Sequence, residues 1–130
     1  MSYVDGFVIV IKKSNVEDYK KMATQGKEMW LKHGALDYKE CVGDDLTPKM
    51  PDMPGMESMP KPLTFVELAR PAADETVVFS YIVYKDRAHR DEVNAKVMQD
   101  PAMTPEAMKD KPMPFDMQKM AYGGFQTIVE

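Results

Sequence analysis

The sequence predicts a small α+β fold whose elements run β-α-β-β-α-β, an antiparallel sheet with two helices on one face. Three observations predict it. Tyr3–Ile11 and Thr76–Tyr84 carry apolar side chains at both odd and even positions, the mark of strands covered on both faces. The segments after each of them place apolar residues at steps of three and four, the period of a helix with one buried stripe. A length of 130 residues, 44% hydrophobic and 29% charged, suits one folded domain of ordinary core size, with no room for a second.

The first strand sets Phe7, Ile9 and Ile11 on one parity and Val4, Val8 and Val10 on the other. Ser14 stands three residues before Glu17, in capping-box spacing, and predicts a helix start. Val16, Tyr19, Ala23, Gly26, Trp30 and His33 then share a face, with Glu17, Lys20, Lys21, Lys27 and Lys32 turned elsewhere. Gly34 is the C-terminal stop. Leu36–Val42 alternates Leu36, Tyr38, Glu40 and Val42 with Asp37, Lys39 and Cys41, a less central strand with one drier face.

From Asp44 to Pro62, five prolines (48, 51, 54, 60 and 62) break helix and central strand alike and predict a surface excursion. Leu63–Ala69 fits a short strand or two helical turns. After the strand Thr76–Tyr84, Asp86 caps a helix over Arg87–Gln99, which Asp100-Pro101 ends. Thr104-Pro105-Glu106 opens one more short turn. Tyr122–Val129 is the closing strand, where Gly123 and Gly124 predict a bulge or a close backbone approach.

This order is ferredoxin-like: two right-handed βαβ units share one sheet. Two helices cover only one face, so strands apolar on both sides need a second cover. The economical cover is the sheet of another copy, which predicts a homodimer.

The net charge of -4 and a pI near 5.2 leave no basic footprint, which excludes nucleic acid and anionic membrane as expected partners. The longest apolar run, Phe7–Ile11, is far short of the roughly 20 residues that cross a bilayer. Asp5 before that run and Lys12 and Lys13 after it reverse the pattern of a signal peptide, so the expected location is the cytoplasm. Cys41 is the only cysteine, which fits a reducing compartment, and the default for its side chain is a small buried hydrophobe. His33 and His89 are the only histidines, too few for a His-rich zinc or iron centre, and no phosphate-binding loop or dinucleotide fingerprint occurs. No cofactor is expected.

The candidate site lies beneath the C-terminal half of the first helix, bordered by Trp30, His33 and Tyr122. Ala23 and Gly26 either let the helix sit close to the sheet or leave a cavity there, Gly123 and Gly124 let the closing strand approach without side chains filling the space, and His33 is the candidate acid-base group. The competing reading packs Trp30 and His33 against the sheet. Arg90 and Asn94 border the face defined by Val93 and Val97 and join the ligand-binding candidates. Arg90 needs an acceptor, which Asp5, Glu40 or an anionic ligand could supply. Met50, Met53, Met56 and Met59 recur every third residue among prolines. Such thioethers could hold Cu(I), but packing of the loop onto apolar surface is favoured, because no Cys or His lies in the stretch.

Several segments carry a resemblance: Tyr3-Val4-Asp5-Gly6-Phe7, Glu40-Cys41-Val42-Gly43-Asp44-Asp45, Glu75-Thr76-Val77-Val78-Phe79-Ser80, Lys96 through Met103, Met113-Pro114-Phe115-Asp116 and Met120 through Phe125. In this order they span nearly the whole chain, which resembles the YbaA-like family of uncharacterised bacterial proteins. The methionine-rich stretch departs from the shorter loop of that family. The resemblance implies the dimeric α/β-barrel superfamily, in which two ferredoxin-like subunits set their sheets together, and it implies no particular reaction. The functional expectation is a dimer that binds or transforms a small planar molecule between the first helix and the sheet. The alternative is a non-catalytic interaction or stress-related protein.

Overall fold

The computed structural model describes residues 1–51 and 53–130. The strands are β1 (Tyr3–Lys12), β2 (Asp37–Val42), β3 (Glu75–Tyr84) and β4 (Met120–Gln126). The helices are α1 (Val16–Lys32), α2 (Phe65–Ala69), α3 (Arg87–Gln99) and α4 (Pro105–Met108). The sheet order is β2-β3-β1-β4 and every pairing is antiparallel. The two strands that are apolar on both parities are thus the two central ones. Register alternation then sorts their side chains: Asp5, Phe7, Ile9 and Ile11 lie opposite Ile82, Ser80, Val78 and Thr76 on one face, and Val4, Val8 and Val10 opposite Val83, Phe79 and Val77 on the other.

The helices cover the first of these faces. Tyr19 and Ala23 of α1 pack on Ile9, Ile11 and Val78, and Val93 and Val97 of α3 pack with Ile82, Tyr84 and Ala35. The stripe expected on α1 is the one that turns inward, with Tyr19 and Ala23 buried and the lysines exposed. Asp86 caps α3 as its position predicts, its side chain accepting from the His89 amide. Gly34 follows α1 with φ of 116°, a left-handed stop that any β-carbon would strain.

Several expectations change. The Ser14 capping box does not form: a 3-10 turn over Lys13–Asn15 precedes α1, and the side chain of its N-cap Asn15 makes no capping bond. Asn15 Nδ2 donates instead to the Pro114 carbonyl. A capping box does close at α2, between Thr64 and Glu67, which decides that ambiguous segment for a helix. The closing strand begins earlier, at Met120, and ends at Gln126. It contains no bulge: its register against β1 runs unbroken through both glycines. Gly124 is instead the seat of the Tyr3 ring, whereas at Gly123 a β-carbon would meet nothing within 4 Å among the described residues.

Cys41 is exposed rather than buried. It sits on the edge strand β2 opposite Phe79, on the face away from the helices, with a strand on one side only. The methionines of the proline-rich excursion do not pack down either. Met50, Met53, Met56 and Met59 are 43–59% exposed.

The seat at Gly124 generates a direct test. Gly124→Ala should destabilise the chain by about 1–3 kcal/mol, the usual cost of overpacking. In a Tyr3→Ala background, urea unfolding should show that same change costing nothing. Equal costs in the two backgrounds would mean the ring is not what fills the space.

Candidate functional site

A cleft of about 600 Å³ opens between the N-terminal half of α1 and β2. Ala23 and Val78 give it an apolar floor, Tyr19, Tyr38 and Glu40 line it, and Lys20 and Lys27 stand along the helix side. Glu40 is its chemical centre. Tyr38 and Glu40 are two apart on β2 and share the helix-side face, while Tyr19 descends from α1. Tyr19 Oη donates to Glu40 Oε2 at 2.7 Å and Tyr38 Oη to Oε1 at 2.9 Å. Each carboxylate oxygen thus has one phenol donor and keeps lone-pair capacity for another. Burial, then the bond to Glu40, pushes the Tyr19 hydroxyl well above the usual phenol range. Burial and the Glu40 charge do the same to Tyr38. Both phenols therefore stay protonated donors at neutral pH, and the carboxylate is the acceptor offered to a ligand.

Gly26 does not leave a void. A β-carbon there would lie 2.9 Å from Tyr38 Oη, so the missing side chain is what lets Tyr38 slide under α1 and reach Glu40.

The residues singled out from the sequence fall into other arrangements. Trp30 Nε1 donates to Asn94 Oδ1 at 3.0 Å, joining α1 to α3, and Tyr84 Oη approaches the same oxygen at 3.4 Å. Arg90 Nη1 donates to Asp5 Oδ1 at 2.9 Å, which settles the acceptor that Arg90 needs. Asp5 is only 2% exposed, and burial pushes its carboxyl upward against the opposing pull of the Arg90 guanidinium. His33 Nε2 lies 2.8 Å from Asp100 Oδ2, which also accepts from Lys32 Nζ. The Ala102 amide, followed by His33 and Lys32, holds the Asp100 carboxyl well below the usual range. Tyr122 stacks on Phe7 at 5.4 Å on the β4 side of the sheet. Trp30, Asn94 and Arg90 belong to one polar layer under α3, while His33 and Tyr122 stand apart from it. None of the five lines the cleft.

Tyr19, Tyr38 and Glu40 were not candidates from the sequence. The available signal was Glu40 itself, a carboxylate on the drier parity of its strand with Leu36, Tyr38 and Val42, where it requires donors. Among the described residues, no group of three His, Cys, Asp or Glu side chains is placed to hold a metal ion. No described helix is long and apolar enough to cross a membrane.

The family described as "Protein of unknown function (DUF1428)" matches residues 2–117 of this chain. The chain belongs to that family. It is 35% identical over 130 residues to the uncharacterized protein YbaA of Escherichia coli K12, covering 100% of this chain and 99% of the relative. The YbaA protein of Shigella flexneri matches at the same identity and coverage. Among solved structures, a dimeric ferredoxin-like protein from an uncultured marine organism matches with a TM-score of 0.55 and 12% identity, over 100% of this chain and 99% of that one. This likeness shows the fold, and the DUF1428 chain has the ferredoxin-like α+β architecture that the element order predicts.

The tyrosine environment should make this DUF1428 protein sensitive to alkali. Tyr19, Tyr38 and Tyr84 are all shifted upward, so the folded chain keeps protons that unfolded tyrosines release near about pH 10. Their stabilisation is complete below that pH and is lost as pH rises above it. Urea unfolding between about pH 8 and pH 11 should show the decline, with a shallower slope in Tyr38→Phe. An unchanged slope would count against a buried, carboxylate-bonded Tyr38.

Proposed function

We propose that the protein is a homodimer, joined through the sheet faces that the helices leave open, and that each copy binds a small planar molecule in the cleft between α1 and β2. The observation that carries the ligand reading is Glu40, held by two phenols on the wall of an apolar-floored cleft. A cleft of about 600 Å³ is within the size of small-molecule sites. The Tyr19 and Tyr38 rings suit a planar ligand, a donor on that ligand would find Glu40, and an acidic group would meet Lys20 or Lys27. The uneven placing of these groups, carboxylate on the wall and lysines along the helix, would orient the ligand.

The dimer reading rests on the open face. Phe79 is 45% exposed and Phe125 61% exposed, with Val4, Val8 and Val83 half-buried around them. An apolar patch of this kind on a central pair of strands favours burial against another surface. A second copy brings the same apolar face, and the ferredoxin-like structure that matches over the full chain is itself dimeric. A reducing compartment, the cytoplasm, suits the exposed Cys41 thiol. The acidic net charge argues against nucleic acid as the partner.

Sedimentation at micromolar concentration should give about twice the 14.8 kDa of one chain, and Phe79→Glu should give a folded monomer. A wild-type monomer would overturn the dimer. For the cleft, extraction of freshly purified protein followed by mass spectrometry should recover a planar compound. Thr24→Trp, at an exposed position lining the cleft, should exclude that compound while leaving sedimentation and thermal unfolding unchanged. Equal recovery from the Trp variant would place the compound elsewhere.

A further inference from the structure

The proline-rich excursion is built as a row of turns with a methionine at each junction. The Met56 amide donates to the Met53 carbonyl at 3.1 Å, and the Met59 amide to the Met56 carbonyl at 3.1 Å. Each bond closes a four-residue turn, which brings the α-carbons of its end residues within about 7 Å. The first turn is written into the sequence: Pro54 presets one central position, and Gly55 takes the other with φ of 86°, as a type II turn requires. Met56 ends that turn and starts the next, so Met53, Met56 and Met59 are held in succession at short range. Met50 lies one more three-residue step back along the chain.

These side chains contribute nothing to the core. None of the four belongs to either hydrophobic cluster, and their exposures are 59%, 55%, 43% and 54%. The lack of Cys or His in the stretch favours packing onto apolar surface for these methionines; their exposure argues against that role. A run of regularly spaced apolar side chains facing water is costly without a use. The use must suit thioether sulfur, which is neutral, soft and a weak acceptor, and so a poor ligand for hard divalent ions and a good one for soft monovalent ions.

We propose that Met53, Met56 and Met59, with Met50 as a further donor, form a thioether site for a soft monovalent cation, Cu(I) or Ag(I). The turns set the three methionines at consecutive corners of the backbone, and their long flexible side chains have the reach to bring thioethers onto one ion. Thioethers take up no proton in the ordinary range, so binding persists where sites built from thiolate or imidazole weaken. This site is separate from the cleft at Glu40 and stands or falls independently of it.

The test uses the full chain with Ag(I), which needs no reductant, followed by NMR of methyl-labelled methionine. A single equivalent should shift the signals of the loop methionines together, out of the 13 in the chain. Binding should be alike at about pH 7 and about pH 5. It should survive Cys41→Ser, which removes the exposed thiol as a rival ligand, and should be lost in the triple variant Met53→Leu, Met56→Leu, Met59→Leu. Leucine keeps the apolar bulk, and circular dichroism checks that the fold is intact. Competition with a Cu(I) chelator under anaerobic conditions should show each single Leu change weakening binding by about tenfold or more. Binding that vanishes with Cys41→Ser, that survives the triple Leu variant, or that spreads over many methionines without a stoichiometric end point would overturn the assignment.

Discussion

Two helices cannot cover both sides of a four-stranded sheet, and most of this molecule follows from that mismatch. The α1 and α3 helices bury one face completely enough that Ile11, Val78, Ile82, Tyr84, Val93 and Val97 are all 4% exposed or less. On the other face, Phe79 and Phe125 remain open. Because side chains alternate along a strand, a shift of one residue in β1 or β3 would exchange the two faces wholesale. The register is fixed by side chains that tolerate only the covered side. Asp5 is the clearest of them: it finds Arg90 of α3 there, and on the open face it would be a charge in the middle of an apolar patch.

The polar layer under α3 and the cleft under α1 use the same physical device for different ends. In the first, Asp5, Arg90, Asn94, Tyr84 and Trp30 satisfy one another and close the space between α1 and α3. Every lone pair spent inside the layer is one a ligand cannot use, which makes the layer a clamp. Around Glu40 the phenols leave acceptor capacity facing a cavity. The difference lies in what borders α1. Near Trp30 it is tied to α3; on the side of Lys20 and Lys27 it borders β2, the edge of the sheet, and among the described residues no further strand lies beyond that edge.

How far the sequence foretold this depended on the range of the interaction. Parity along β1 and β3, the stripe of α1, the Asp86 cap and the Gly34 stop are local and were legible. Ser14 offered a good capping pattern that lost to a tertiary bond, Asn15 to Pro114, which no local rule contains. The small residues expected to make room misled for a similar reason. Absent side chains at 26 and 124 suggested empty space, but tyrosines from neighbouring elements occupy it, and their arrival depends on the pairing of β1 with β4 and of α1 with β2. Cys41 was misjudged because its exposure follows from β2 being an edge, a property of the whole sheet. The cleft was missed because its three key residues come from two elements and only one, Glu40, sits out of character in its own segment.

The strand order also carries a cost in time. Although β1 occupies the centre of the sheet, its partners are β3 and β4, residues 75–84 and 120–126, and it makes no ladder with β2, the strand that follows it in the chain. Contacts between segments so far apart are slow to form, because the intervening chain must be closed into a loop first. During synthesis β1 therefore emerges with both edges unpaired and waits until β3 and β4 have been made. For that interval its run of valines and isoleucines is a sticky nascent segment. Lys12 and Lys13 immediately after it, and the charged face of α1 after those, are the features that can keep it soluble until its neighbours arrive.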